Sequence, residues 1–204
     1  ARRSGVPGMS MEGFLELLKL KDVTRTGWEL RGIQKPESVA DHSWGTALLV
    51  GRYSGEAGVE ADRALKMALV HDLVEVRVGD IPRRVDPRVE QVPEEEKRQR
   101  EETAARELAS EVQWSGIEEL WREYDLGESE EARFVRDMNL LDMVLQATLY
   151  AGEGRWDGRS GAESFPTFTG LDEFFETSRP RIVTGLGRRL YSEVEDLYEA
   201  LKEG

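Results

Sequence analysis

Residues 64–82 read ALKMALVHDLVEVRVGDIP, and this stretch decides the fold that the sequence predicts. Its apolar residues surround a helix on almost every side, and a helix of that kind is buried in the interior of a protein. His71, Asp72 and Glu75 nevertheless interrupt the apolar run. Because an ionisable group is costly to bury without a partner or a bound cation, the stretch predicts a helix that carries polar chemistry into a core.

The chain contains 2 histidines, and the other one, His42, lies upstream in a second predicted helix. Ser38 is a suitable N-cap for that helix, so His42 falls in its first turn. Both imidazoles and the carboxylate of Asp72 could share one metal ion, and mixed nitrogen and oxygen ligands suit Mn, Fe, Co, Ni or Zn. The alternative is that His71 and Asp72 are buried and satisfy each other, and their spacing alone does not decide between the two.

Two further acids follow the His-Asp pair. Glu75 lies four residues after His71 and shares its helix face, where a carboxylate could orient a metal-activated water or take its proton. The alternative is an ordinary helix glutamate, which the apolar neighbours of Glu75 make less favourable. Asp80 follows the helix end and could hydrogen-bond a sugar or serve the leaving group, or it could simply form a turn.

A connector with the sequence RTGWELRGIQKPES precedes His42 and is interrupted by glycine and proline. It carries Arg25, Trp28, Arg31 and Lys35. Cationic side chains beside an aromatic ring can hold a phosphate and stack a base. Without further information, solvated charges around one anchoring tryptophan are the simpler interpretation.

Helical periodicity dominates the remaining sequence, and no stretch alternates as a strand would. The sequence therefore predicts an all-α fold, with residues 1–9 as a flexible lead and residues 10–204 as a single helical domain. Two closing helices are predicted at 171–178 and 182–201. The other predicted helix starts lie at Ser10, Ser38, Asp62, Pro93 and Ser129.

The composition excludes several classes of function. The net charge of −13 repels a phosphate backbone, so a nucleic acid polymer is an improbable partner, although a local metal and a few arginines can still attract a small phosphate ester. The absence of cysteine excludes disulfides, thiolate metal sites and a cysteine nucleophile. No apolar run is long enough to span a membrane, and no secretory signal is present. We therefore expect a cytoplasmic protein.

Four strings together resemble the HD-domain hydrolases, and among them the subfamily of HD-domain-containing protein 2 and the YfbR-like 5′-deoxynucleotidases. The resemblance runs in order from about Leu15 to Tyr150, and the joint pattern PESVADH, HDLVE and GDIP is its most specific part. The strings are RTGWELRGIQKPESVADHSWG, ALVHDLVEVRVGDIP, PEEEKRQREE and FVRDMNLLDMVLQATLY.

The resemblance implies a single-domain HD-type helical bundle that forms a homodimer. It also implies a divalent metal ion, one of Mn, Co, Fe, Ni, Zn or Mg, and hydrolysis of a deoxyribonucleoside 5′-monophosphate to nucleoside and phosphate. The implied metal ligands are His42, His71 and Asp72. The implied catalytic residues are Glu75 and Asp80. The implied substrate contacts are Arg25, Trp28 and Asp80.

The fourth metal ligand of the family is an aspartate, and the position that matches it here is Asn139, the only asparagine of the chain. Three interpretations remain open. Asn139 could ligate through its neutral amide oxygen, Asp142 could substitute from the same helix face, or the asparagine could disable the site. Asp137 is the poorest candidate, because it projects from roughly the opposite face. We expect Asn139 at the site.

Two other functions stay open on the same fold. A weakened fourth ligand would suit a regulatory module that binds metal or nucleotide without turnover. A phosphohydrolase could also act on a nucleoside triphosphate, a cyclic nucleotide or an alarmone. Those substrates carry more charge, and the segment from Arg25 to Lys35 offers few cations to meet it.

Overall fold

The structure is a computed structural model that describes residues 11–82, 92–156 and 170–203. The predicted flexible lead at 1–9 and the predicted cap at Ser10 lie outside these residues. Ten α-helices occur in the described part of the chain. They are α1 (Met11–Leu17), α2 (Thr26–Leu30), α3 (Val39–Ala57), α4 (Ala61–Val70), α5 (Glu75–Val78), α6 (Glu94–Glu111), α7 (Gly116–Leu126), α8 (Glu130–Gly152), α9 (Asp172–Ser178) and α10 (Gly185–Glu203).

The predicted all-α class is confirmed. Two short 3-10 segments, Leu18–Asp22 and Arg179–Arg181, supplement the helices. Within the described ranges, β pairing is limited to one isolated bridge between Thr24 and Ser38. None of the helices in those ranges combines the length and the hydropathy that crossing a bilayer requires.

Helix α8 lies at the centre of the bundle and packs against α3, α4, α7, α9 and α10. It buries apolar residues on several sides, among them Phe134, Met138, Leu141 and Val144. Full burial of one such side chain stabilises a fold by about 1.5–3 kcal/mol. Because α3 and α4 also pack on each other, polar residues of these helices can meet inside the core.

Two predicted N-caps are confirmed. The Ser38 hydroxyl accepts a hydrogen bond from Asp41 N, and the Asp41 carboxylate accepts one from Ser38 N, which forms a capping box at the start of α3. Helix α3 ends before Gly58, whose φ of 74° is the left-handed conformation that glycine adopts without strain. Ser129 caps α8 by accepting from Ala132 N.

The prediction of one continuous helix through the His-Asp pair is wrong. Helix α4 is capped by Glu60 rather than Asp62, ends at Val70, and is followed by turns before α5 begins at Glu75. In these turns Leu73 N bonds to Val70 O at 3.1 Å and Glu75 N bonds to Asp72 O at 3.0 Å. These are three-residue spacings, tighter than an α-helix, so the backbone rotates more per residue around His71 and Asp72.

The segment interpreted as an irregular connector contains the short helix α2. Its first backbone amide, Thr26 N, donates to Asp80 Oδ2 at 2.5 Å, and the Thr26 hydroxyl donates to Asp80 O at 2.8 Å. Trp28 is 1% exposed and anchors α2 in the core. A carboxylate distant in sequence and a buried ring therefore stabilise a helix that local periodicity does not predict.

Candidate metal centre

Two imidazoles and a carboxylate converge where α3 approaches the turn after α4. Atoms of His42, His71 and Asp72 that can bind a metal lie within 4.8 Å of one another. Asp72 Oδ2 lies 3.6 Å from His42 Nε2 and 3.3 Å from His71 Nε2. The three residues that the sequence selected as metal ligands are thus adjacent in the fold.

In each ring, Nδ1, the nitrogen that faces away from Asp72, has a hydrogen-bond partner. His71 Nδ1 lies 2.8 Å from Ala68 O, which can only accept, so Nδ1 carries the proton and Nε2 presents a lone pair. His42 Nδ1 lies 2.7 Å from Asp142 Oδ2, which orients that ring in the same way. Burial and then the charge of Arg25 lower the pKa of His42, which keeps its imidazole neutral.

The donor set fits a cation. Both Nε2 atoms are buried without a hydrogen-bond partner, and each faces a carboxylate oxygen. Acceptors that face one another in a core are unfavourable unless a positive charge lies between them. Burial opposes ionisation of Asp72, but the two imidazoles and Arg25 outweigh it and hold its pKa below the usual range. Neutral imidazoles and an ionised carboxylate are the forms that bind a divalent metal.

Asp142 lies behind His42 rather than beside the other two ligands. Its carboxylate occupies space left by Gly45, because a Cβ at residue 45 would overlap Asp142 Oδ1 and lie 2.8 Å from its Cγ. A carboxylate on the far nitrogen of a metal-binding histidine fixes the ring and raises its basicity. This position favours an orienting contact for Asp142 over direct ligation.

Glu37 joins the same side of His42. Atoms of Glu37, His42 and Asp142 form a second close group, in which Glu37 Oε1 accepts from Trp28 Nε1 at 2.9 Å. Burial and the Asp142 carboxylate raise the pKa of Glu37 to about 7. Glu37 is thus partnered by Trp28, and Asp142 by His42 Nδ1, in contrast to the unpartnered Nε2 atoms.

Asn139 lines the same cavity as His71. Its Nδ2 donates to the hydroxyl of Tyr124 at 2.6 Å, and the Tyr124 ring lies edge-on to His71 with 5.1 Å between ring centres. Because the Nδ2 atom of Asn139 makes this bond, its Oδ1 atom is not used in the contact with the Tyr124 hydroxyl. Sequence analysis did not single out Tyr124, because a tyrosine in an amphipathic helix has the spacing of an ordinary core residue.

Asp137 is fully buried and has a structural partner. Its carboxylate accepts from Val183 N at 3.0 Å and from Thr184 N at 2.8 Å, just before α10 begins. A Cβ at Gly187 would lie 2.8 Å from Asp137 Cγ, so the glycine leaves room for this contact. The position agrees with the sequence analysis, which ranked Asp137 last as a ligand.

Glu75 is 5% exposed at the start of α5, and its Oε2 has no hydrogen-bond partner. Burial, followed by the charges of Asp72 and Asp80, raises the pKa of Glu75 well above its usual range. A buried carboxyl of this kind holds or releases a proton nearer neutral pH than an exposed glutamate does.

Arg25 bridges two of the predicted site residues. Its Nη1 lies 3.6 Å from Asp72 Oδ2 and 3.4 Å from Asp80 Oδ1. Burial disfavours the charge, but the surrounding carboxylates, Asp80 first, raise the pKa of Arg25 above its usual value. The guanidinium is thus a permanent positive charge at the edge of the metal-binding group.

The geometry favours an anchoring role for Trp28 over base stacking. Phe174 packs against the Trp28 ring with 4.0 Å between ring centres, and Tyr150 meets its edge at 5.2 Å. With 1% of Trp28 exposed, no ring face of useful area is open to a base. Trp28 forms part of the cavity wall next to Arg25.

A cavity of about 640 Å³ opens beside the centre and is lined by His71, Asp72, Glu75, Asp80 and Asn139. Cations from three distant segments also line it, and sequence analysis missed them because only tertiary packing brings them together. These are Lys97, Arg98, Arg133, Arg136 and Arg181. Acids such as Glu101 and Asp125 line the cavity as well, so the candidate metal ligands adjoin a rim of mixed charge.

Comparison with known families agrees with this arrangement. The family described as HD domain matches residues 17–168, which include every residue of the centre. The chain belongs to the HD-domain family. The resemblance identified from the sequence strings is confirmed, and HD domains are metal-dependent.

Curated relatives of this HD domain include two enzymes named 5′-deoxynucleotidase. The mouse protein HDDC2 is 36% identical over 191 residues, which cover 88% of this chain and 93% of the relative. The Schizosaccharomyces pombe protein hdd1 is 34% identical over 165 residues, which cover 77% of this chain and 79% of the relative.

Solved structures share the fold of this HD domain. The PH0347 protein of Pyrococcus horikoshii OT3 superposes with a TM-score of 0.66 at 31% identity, covering 93% of this chain and 99% of that protein. The HD phosphohydrolase DatZ of cyanophage S-2L, solved with dA and one catalytic Zn²⁺, gives a TM-score of 0.51 at 20% identity, covering 93% of this chain and 96% of that protein. At that identity the second likeness concerns the fold alone.

Proposed function

We propose that this HD domain hydrolyses deoxyribonucleoside 5′-monophosphates to nucleoside and phosphate, as a 5′-deoxynucleotidase. The observation that carries the proposal is the pair of unpartnered Nε2 atoms of His42 and His71, which face Asp72 beside a large cavity. Relatives named 5′-deoxynucleotidase, similar over most of the chain, support the choice of substrate.

The proposed metal ligands are His42, His71, Asp72 and the Oδ1 atom of Asn139. This set suits Mn, Fe, Co, Ni or Zn, and an all-oxygen preference makes Mg a weaker candidate. When bound, a divalent cation supplies Lewis acidity towards the phosphate and lowers the pKa of water. The unpaired acceptors and the ionised Asp72 support this assignment.

Glu75 is the proposed general base. Its carboxyl is buried and its Oε2 is unpartnered, and both features suit a group that orients a water molecule and exchanges a proton with it. Burial, and then the neighbouring carboxylates of Asp72 and Asp80, raise its pKa, which brings its proton exchange closer to neutral pH.

Arg25 and Asp80 are the proposed substrate contacts, with Trp28 as the wall behind them. The Arg25 guanidinium would meet charge that develops on the phosphoryl oxygens. Asp80, which caps α2 and contacts Arg25, would bind the sugar, where a 2′-hydroxyl would be crowded. Because Arg25 and Asp80 contact each other, we expect them to bind neighbouring groups at the same end of the substrate.

The test is phosphate release from dAMP, dTMP and AMP in the presence of single divalent metals. We expect release from the deoxy substrates, and a loss of about 10²–10⁴-fold in kcat for Glu75→Gln, because general base catalysis contributes that much. Glu107→Gln, at an exposed acid on α6 that pairs with Arg77, is the matched control. Undiminished release by Glu75→Gln would refute the catalytic assignment.

Hydrolysis of a more highly phosphorylated nucleotide is a second candidate. The segment from Arg25 to Lys35 offers few cations for such a substrate. The cavity lining adds others, Arg133 and Arg136 among them, interspersed with acids such as Glu101 and Asp125. Including dATP in the assay separates the two. Asn139, a neutral residue at the fourth ligand position, keeps a regulatory module as a third candidate, and bound metal without release of phosphate from any nucleotide would favour it.

We also propose that the protein is a homodimer in the cytoplasm. The adjacent exposed side chains of Trp44 and Leu48, one turn apart on α3, support an interface between copies. A native mass equal to that of one 23.1 kDa chain would exclude the dimer. The absence of cysteine is compatible with a reducing compartment, which cell fractionation would test.

A further inference from the structure

The hydrogen bond between Asn139 and Tyr124 has a defined direction. The Asn139 Nδ2 group carries only donors, so the Tyr124 oxygen accepts and its own proton must be directed elsewhere. No described residue accepts a hydrogen bond from the Tyr124 hydroxyl. The proton is therefore available to whatever occupies the space next to it.

That space is the cavity of the candidate metal centre. Tyr124 and Asn139 both line it, together with His71 and Asp72. The Arg136 guanidinium lies 5.8 Å from the centre of the Tyr124 ring. A phenol hydroxyl is protonated at neutral pH and can donate a hydrogen bond.

We infer that Tyr124 is a substrate-binding residue whose hydroxyl donates to a phosphoryl oxygen, and that Asn139 positions it for this contact. The inference rests on the proposed function. The oxygens of an ionised phosphate ester only accept hydrogen bonds, so they require donors in the cavity. Tyr124 supplies one next to His71.

An asparagine at residue 139 suits this arrangement better than an aspartate does. An ionised carboxylate accepts hydrogen bonds and cannot donate them. In Asn139→Asp the bond would therefore reverse, and the Tyr124 hydroxyl would donate to the new carboxylate instead of to the substrate. The same substitution would add a negative charge at the position of the proposed fourth metal ligand. We therefore expect Asn139→Asp to bind divalent metal more tightly and to lose the contribution of Tyr124 to phosphate binding.

The first experiment compares Tyr124→Phe with the wild-type protein. We expect kcat/KM for the best deoxynucleotide, and the association constant for inorganic phosphate in the metal-loaded protein, to fall roughly 10- to 100-fold. That range corresponds to a hydrogen bond to a charged group. The control is Tyr53→Phe on α3, a half-buried tyrosine outside the cavity, which should stay within about twofold. Equal behaviour of the two variants would overturn the inference.

The second experiment is a double-mutant cycle with Asn139→Asp. If Asn139 directs the Tyr124 proton, Tyr124→Phe should change phosphate affinity by less than about twofold in the Asn139→Asp background. A purely structural role of Asn139 would leave the effect of Tyr124→Phe unchanged, and that result would refute the positioning role. Metal affinity measured by titration reports separately on the added carboxylate.

The phosphate titration separates this inference from the proposed function. If no nucleotide is hydrolysed, but phosphate binds and Tyr124→Phe weakens it, the nucleotidase proposal fails and the Tyr124 contact stands. If the wild-type protein and Tyr124→Phe hydrolyse nucleotides equally well, the nucleotidase proposal stands and the Tyr124 contact fails. A metal-loaded wild-type protein that does not bind inorganic phosphate would also overturn the Tyr124 contact.

Discussion

At the scale of single residues, the metal centre depends on what the far side of each imidazole touches. A main-chain carbonyl orients His71, and the Asp142 carboxylate, 100 residues away in sequence, orients His42. Gly45 permits the second contact, because any larger residue would overlap the carboxylate. Gly45 thus affects the metal site indirectly, because it leaves room for Asp142, which orients His42.

We predict that Gly45→Ala weakens divalent metal binding by about 10- to 100-fold, the usual effect of losing a partner that orients a metal-binding histidine. The new methyl group would displace Asp142 from His42 Nδ1. Calorimetric titration of the chelator-treated protein measures the change. Gly55→Ala on the same helix meets nothing within 4 Å and should instead stabilise the fold by about 0.5–1 kcal/mol. Unchanged metal affinity in Gly45→Ala would contradict the orienting role.

Glu37 predicts a pH dependence of stability. Its pKa is raised to about 7 in the fold, against an ordinary value of 4.5, because it is buried beside Asp142. The folded protein therefore favours the protonated carboxyl. The stability that this group contributes is complete below the ordinary pKa and is lost as the pH rises through 7.

Replacing Glu37 by glutamine keeps an acceptor for Trp28 Nε1 and removes the charge. We expect the stability of Glu37→Gln relative to the wild-type protein to grow by roughly 1–3 kcal/mol between pH 5 and pH 8, since one pKa unit is worth about 1.36 kcal/mol. Urea unfolding of the metal-free proteins measures it. Glu29→Gln, at an exposed carboxyl of α2, controls for the loss of one negative charge. If the difference in stability between Glu37→Gln and the wild-type protein does not change between pH 5 and pH 8, Glu37 is ionised in the folded protein over that whole range.

At the scale of helices, carboxylates from other parts of the chain complete two helix starts. Asp80 accepts from the first amide of α2, and Asp137 accepts from the two amides that precede α10. Such contacts satisfy backbone donors that a helix leaves unpaired at its beginning. The start of α2 lacks a local side-chain cap like those that Ser38 and Ser129 provide for α3 and α8. The start of α10 has one in addition to Asp137, because the Thr184 hydroxyl accepts from Gly187 N at 2.9 Å.

We predict that Asp137→Ala destabilises the protein by about 2–4 kcal/mol, because two hydrogen bonds from a buried charge to backbone amides are lost. Thermal and urea unfolding would measure the loss. The activity of the folded fraction should change little, since Asp137 does not line the cavity. Asp196→Ala, at an exposed position of α10, should stay within about 0.5 kcal/mol. If Asp137→Ala destabilises the protein no more than Asp196→Ala does, Asp137 does not stabilise the start of α10.

At the scale of the whole molecule, a bound ion would link elements that are distant in the chain. His42 belongs to α3, whereas His71 and Asp72 lie in the turn between α4 and α5. Unfolding separates these groups, so a ligand that needs all of them binds the folded state alone. The net charge of −13 also favours association with cations.

We predict that chelation lowers the melting temperature and that an added divalent metal restores it. At a thousandfold excess over Kd, binding stabilises the fold by about 4.1 kcal/mol, which is roughly 8–16 °C for a domain of this size. Scanning fluorimetry with each metal measures the shift and ranks the metals. His42→Ala, which lacks one proposed ligand, is the control. A shift of the same size in that variant would place the ion elsewhere.

The helical class, several helix boundaries and the three residues of the candidate metal centre follow from the amino-acid sequence alone. These depend on local properties, namely apolar periodicity, side-chain caps such as Ser38, and the cost of burying His71 and Asp72 in an apolar run. Its family resemblance also holds, because the joint pattern of motifs is far more specific than any one of them.

The direction in which each polar group points, and the partner that it meets, depend on how the helices pack. The turn that replaces a helix at His71, the contact of Asp142 with His42 and the bond from Asn139 to Tyr124 all join segments whose spacing in the chain carries no periodic signal. A side chain's partners in a core are set by the packing of whole helices. For that reason, the sequence indicates the residues of the centre but not its geometry.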